Sequence, residues 1–226
     1  MVPDELTEAA FYGREDVAAL LDEGKVPLGL DMETVEPVTW DLKKGNLLYL
    51  TDKEEQMTQF VKQIAHSKQK VIVLAPAYNE LPEMEGVTIL STKEDYVAGI
   101  KKMEENIQLR LEQQKSQHEA TIVLYNQLEL MNDLGMDLQS SLNYVLEKGA
   151  RVGYATVAMS GSQLNRKIDE VSKSIKLYKQ AIVAMRITDQ SVLNVINRPV
   201  REEPLDSQVN YYVEDGFVRK VKVLMK

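Results

Sequence analysis

The sequence has no cysteine, one tryptophan, three phenylalanines and two histidines among its 226 residues. Without cysteine, neither a disulfide framework nor a thiolate metal site is possible, and a reducing setting fits the chain. The histidines, His66 and His118, lie far apart with no carboxylates at ligand spacing, so no metal site is expected. Positive charge is also short. The 27 Lys and Arg stand against 35 Asp and Glu, a net charge of -8, which argues against a surface that tracks phosphates and against nucleic acid as a partner, although an acidic total leaves room for a local basic patch. No apolar run approaches the roughly 18 residues that cross a bilayer, and no basic segment followed by an apolar one opens the chain. The expectation is a soluble segment with no direct membrane contact and no leader, although a larger parent protein would bring its own attachment.

A further absence lies inside the chain. NLLYLTDKEEQMTQFVKQI, residues 46–64, reads as a buried strand, a tight loop and a helix in succession. That is where a nucleotide-binding domain keeps its phosphate loop, G-x-x-x-x-G-K-[ST], whose glycines curl backbone N–H groups around phosphates while the lysine adds positive charge. Here Thr51, Gln56, Met57 and Thr58 fill those positions. Only the hydroxyl of Thr58, the usual magnesium ligand, is kept, and Asp52, Glu54 and Glu55 crowd carboxylates where a phosphate would lie. Taken alone, the stretch is an ordinary strand and a helix with Asp52 as N-cap and Glu55 at the third helical position.

The second such place is the end of the strand ATIVLYNQLE, residues 120–129. Phosphate-loop enzymes end this strand in carboxylates, one holding magnesium through its water shell and the next polarising the attacking water. This chain has Asn126 and Gln127. Amides keep the size and hydrogen-bonding shape of carboxylates but neither attract a metal nor take a proton. Alone, such a pair is a common strand-end turn; paired with the altered loop, it points to a neutralised reaction centre.

What is present follows one order. Residues 4–21 have helical spacing, with Leu6, Ala10, Val17, Leu20 and Leu21 available to face inward, and Gly24 stops this lead-in; the remaining residues, 25–226, make the main domain. VPLGLDMETVEPVTWDL frames an edge strand near residues 38–42, where Trp40 packs. KVIVLAP and residues 87–90 read as strands, Ser91 and Glu94 as a capping box for a long helix, and residues 129–147 as another helix ending in Lys148 and Gly149. A strand over 152–160, with Ser160 capping a helix over 162–178, and a strand over 180–187 come next, then a turn and a short helix. VNYYVEDGFVRKVKVLM closes the reading as a hairpin on an Glu-Asp-Gly turn.

This order and the quoted motifs resemble the FtsK/SpoIIIE family of RecA-like motor domains over nearly the whole chain. The resemblance implies a RecA-like P-loop NTPase fold of class α/β, with a mostly parallel central sheet flanked by helices and a C-terminal β-hairpin. A module that lacks both catalytic motifs is similar, more narrowly, to the last ATPase domain of EssC-type coupling ATPases of type VII secretion. That likeness implies a vestigial nucleotide site at Thr51, Gln56, Met57, Thr58, Asn126 and Gln127, no tightly bound cofactor, and at most weak ATP and magnesium binding. It also implies neighbouring ATPase modules of the same chain and small helical exported proteins as partners, at the cytoplasmic face of the membrane. A weak ATP-binding motor domain with residual or ring-dependent activity stays open, with a DNA translocase a distant third. For a substrate tail docking as an amphipathic helix, the candidate surface follows Asn126: Leu128, Leu130, Met131 and Leu134, with Met136 and Leu138, are too closely spaced to point inward together on a 3.6-residue period.

Overall fold

A computed structural model describes residues 2–67 and 69–224. Its backbone is a ten-stranded sheet in the order β2-β1-β10-β9-β8-β3-β7-β6-β4-β5. The parallel half consists of β3 (Leu47–Leu50), β4 (Val71–Leu74), β5 (Val87–Leu90), β6 (Ala120–Leu124), β7 (Tyr154–Ser160) and β8 (Gln180–Val183). β3 is buried at every position, as a parallel strand covered on both faces must be. Its residues divide by the strand period of two. Leu48 and Leu50 face a cluster shared with Ile100, Leu130 and Val171, while Leu47 and Tyr49 face one with Phe60, Val61 and Ile64. The first cluster lies under α4 (Lys93–Glu112), α5 (Gln127–Gly149) and α6 (Glu170–Ile175), the second under α3 (Glu54–Ala65).

An antiparallel wing extends the sheet beyond β8 through β9 (Val209–Glu214), β10 (Phe217–Lys222), β1 (Val26–Asp31) and β2 (Pro37–Trp40). The hairpin between β9 and β10 turns at Asp215 and Gly216, both with positive φ (49° and 85°), the conformation that matches the twist of paired strands. The end of the hairpin reading, Met225, lies outside the described residues. β2 is an edge strand, and Trp40 is fully buried with its indole N–H donating to the Gly45 carbonyl at 2.9 Å.

Several expectations need correction. The lead-in is two helices, α1 (Glu8–Tyr12) and α2 (Glu15–Asp22). Leu6, Phe11 and Val17 are its buried residues, packing on Leu30 and Leu224, whereas Ala10 is exposed. β1 is a strand of its own, since Gly29 at a register shift lets it pair with both β2 and β10. The capping box of α4 sits one residue later than expected, on Thr92 and Asp95. The expected helix over 162–178 is a 3-10 turn, Ser162–Arg166, followed by the six-residue α6 capped by Asp169.

Candidate functional site

In open α/β sheets ligands bind beyond the carboxyl ends of the parallel strands, and the six sequence-selected positions gather at that edge. The link from β3 to α3 is only Thr51, Asp52 and Lys53, so positions 54 to 58 of the eight-residue loop pattern are already helical. The N-cap is Lys53 rather than Asp52. Asp52 is turned instead to the next loop, where its Oδ1 accepts from the Ser162 amide (2.8 Å) and hydroxyl (3.2 Å). Helices leave their first N–H groups open, which is what a phosphate would use. Here the Lys53 N–H donates to Thr51 Oγ1 (3.1 Å) and the Gln56 N–H to the Lys53 carbonyl (3.1 Å). The Thr51 hydroxyl in turn donates to the Gln56 side-chain oxygen. Met57, at the lysine position, is 4% exposed and packs among Tyr49, Phe60 and Val61, so its side chain fills the core. Thr58 keeps the hydroxyl of a magnesium ligand but shares a hydrogen bond of 2.8 Å with the Tyr125 hydroxyl.

The strand-end amides are used in the same way. Asn126 sits in the left-handed region (φ 47°, ψ 59°) that asparagine tolerates. Its carbonyl accepts from the Glu129 and Leu130 amides to start α5, and its side chain donates to the Tyr78 hydroxyl at 2.9 Å. Gln127 is completely buried, donating to Ser172 Oγ (2.9 Å) and accepting from Ser160 Oγ (3.0 Å). Ser160 therefore does not cap a helix; it closes a neutral bridge between β7, the first residue of α5 and α6.

The electrostatics of this edge are negative. Burial first, then the carboxylates of Glu129 and Glu54, push the Tyr78 phenol above its ordinary value, and Glu54 also accepts from the Asn79 amide at 2.5 Å. These residues do not fit magnesium nucleotide. No ammonium comes from the Met57 position, the strand end offers amides where a metal needs carboxylates, and the surrounding charge repels phosphate. Among the described residues no group of three His, Cys, Asp or Glu gathers as a cation would require. His66 instead stacks on Tyr12, with ring centroids 4.2 Å apart.

The apolar run after Asn126 is placed differently from its expected solvent side. Leu130, Met131 and Leu134 are in the core, and Leu128 and Leu138 are half-buried against it; Met136 alone is exposed, at 85%. The reason is a break in α5. Gly135 adopts φ 70° and ψ 168°, so residues before and after it follow two helical phases, and the Met131 carbonyl accepts from the Gln139 side chain at 2.8 Å. A Cβ at Gly135 would meet nothing within 4 Å, so Gly135→Ala is expected to cost about 1–3 kcal/mol through backbone strain alone. A thermal melt checks it; an unchanged melting temperature would mean that α5 straightens without cost.

The fold matches that of solved structures, and no family model matches the chain. The type VII secretion system protein EssC of Staphylococcus aureus (strain MRSA252) is 25% identical over 234 residues, covering 99% of this chain and 16% of EssC. The chain thus spans about a sixth of that relative's length. Among solved structures, EssC (ATPases 2 and 3) from Geobacillus thermodenitrificans superposes with a TM-score of 0.87 at 18% identity, over 99% of this chain and 45% of that one. Thermomonospora curvata EccC (ATPases 2 and 3), solved in complex with a signal sequence peptide, gives 0.72 at 14% identity, over 100% of this chain and 44% of that one.

Proposed function

Because this chain is homologous to the type VII secretion protein EssC and folds as an EssC-type ATPase module, we propose that it is a catalytically degenerate module of a membrane-anchored secretion ATPase. In this reading it works by binding polypeptide, the C-terminal signal of small helical exported proteins, and by contacts with neighbouring modules of its parent at the cytoplasmic face of the membrane. The observation that carries the reading is that the loop and strand-end side chains are bonded to one another beside an acidic rim. Thr51 is tied to Gln56, Thr58 to Tyr125, and Gln127 to Ser160 and Ser172. Such a network stabilises a scaffold and supplies neither an electrophile for phosphate nor a base for water. The signal peptide bound by the EccC neighbour supports the kind of partner.

A second reading, a weak ATP-binding motor domain, rests on Thr58, which keeps its hydroxyl at the magnesium position. The lost lysine alone removes a charge-assisted contact worth about 1.5–3 kcal/mol, and each ~1.4 kcal/mol is tenfold in affinity. Two assays on the isolated domain separate the readings. Phosphate release is expected to match a no-protein control, and a labelled tail peptide of a helical export substrate is expected to bind saturably. Steady release that disappears in Thr58→Ala would favour the motor domain, and absence of saturable binding by any such tail would remove the recognition role.

A further inference from the structure

The feature left unexplained by the nucleotide edge is a cleft of about 500 Å³ between α4 and the sheet, at the opposite flank from α3. Its origin can be traced to packing. α4 comes down on the sheet at Gly99, where a Cβ would stand 2.3 Å from Leu90 Cδ1. Away from that point the helix leaves the sheet uncovered. Ile72 is only half-buried, although Val71, Val73 and Leu74 around it in β4 are fully buried, and Thr88 of the edge strand β5 is exposed. The floor is apolar, with Ile72, Leu90 and Met103, and Ala98 and Lys102 stand one helical turn apart at the mouth.

The charges around the cleft are not equivalent. Lys70 faces Glu119 at 3.7 Å, Glu119 is held by Arg110 at 2.8 Å, and Asp95 accepts from the Thr92 amide at 3.1 Å as part of the cap. Among the described residues no ion pair or side-chain hydrogen bond engages Lys102. An apolar floor beside an unmatched ammonium fits an occupant that is apolar with one anionic group. A volume in the range of ligand pockets admits a few side chains and excludes a folded domain.

We propose that the α4–β5 cleft seats a polypeptide segment whose apolar side chains cover Ile72, Leu90 and Met103 while a carboxylate pairs with Lys102. The proposal rests on the polypeptide-binding reading above and gives it a location and a chemistry. A binding site here also leaves the α5 residues free to serve the core, as their burial requires.

The test uses fluorescence polarisation with a fluorescein-labelled tail peptide of a helical export substrate containing one acidic residue. It compares the unaltered domain with Ala98→Trp, which fills the mouth from an exposed helical position, and Lys102→Glu, which reverses the charge. Ala98→Trp is expected to weaken binding about tenfold or more. Lys102→Glu is expected to weaken it about fivefold, with recovery when the peptide's acidic residue is replaced by lysine. Saturable binding that neither variant changes would overturn the cleft and leave the polypeptide-binding role standing. Failure of the unaltered domain to bind would overturn both. Should Ala98→Trp melt early, Lys102→Glu and its charge-swapped peptide carry the decision, since Lys102 is exposed.

Discussion

Rebuilding the phosphate loop with Thr51→Gly, Gln56→Gly and Met57→Lys is expected to lower the melting temperature by about 10 °C and leave phosphate release at background. The stability loss follows from where Met57 points. It is 4% exposed among Tyr49, Phe60 and Val61, and an ammonium placed there is desolvated without a partner, at an effective cost of several kcal/mol. Gln56→Gly adds about 1 kcal/mol of helix propensity and, with Thr51→Gly, removes the side-chain bond that closes the loop. Activity stays absent because loop and strand end act together, one positioning phosphate and the other metal and water. Turnover in this variant would show that the amides at Asn126 and Gln127 are not where the chemistry failed.

The second large effect is expected at Gln127. Gln127→Leu leaves the Ser160 and Ser172 hydroxyls buried without their partner, at about 1–3 kcal/mol for each unsatisfied group. Gln127→Glu restores the carboxylate of an ATPase yet places it at a position with no solvent exposure. Burial without a cation raises the pKa of a carboxyl. With the folded pKa above the unfolded one, the folded state holds the extra proton, so stability falls as pH rises from the unfolded value of about 4.3 towards the folded one. The melting temperature of Gln127→Glu is therefore expected to approach that of the unaltered domain at pH 4 and to fall behind it by pH 8. A constant difference across that range would mean that the carboxylate finds water or a cation.

Local periodicity made much of this fold legible. The runs that became β3, β4 and β6 are short, apolar and punctuated, and the Asp215–Gly216 turn carries its own conformational signal. β1 escaped because Pro27 and Gly29 interrupt its pattern, and its pairing with β10 is set by residues almost the whole chain away. The altered positions 51, 56, 57 and 58 were readable from spacing, but the bonds that close them were not. Thr58 meets Tyr125 67 positions later, and Gln127 meets Ser160 and Ser172 33 and 45 positions later. The apolar surplus of α5 was visible, while its direction depended on one glycine, Gly135, whose φ of 70° no periodicity encodes. The cleft beside α4 left no sequence signal, because it arises from how far a helix stands off a sheet.

Whether the domain takes up nucleotide is decided by calorimetric titration with magnesium ATP. No saturable heat is expected up to about 1 mM, because the lysine is missing, the strand end is neutral and the rim is acidic. Saturation at micromolar concentration, lost in Thr58→Ala, would contradict that expectation.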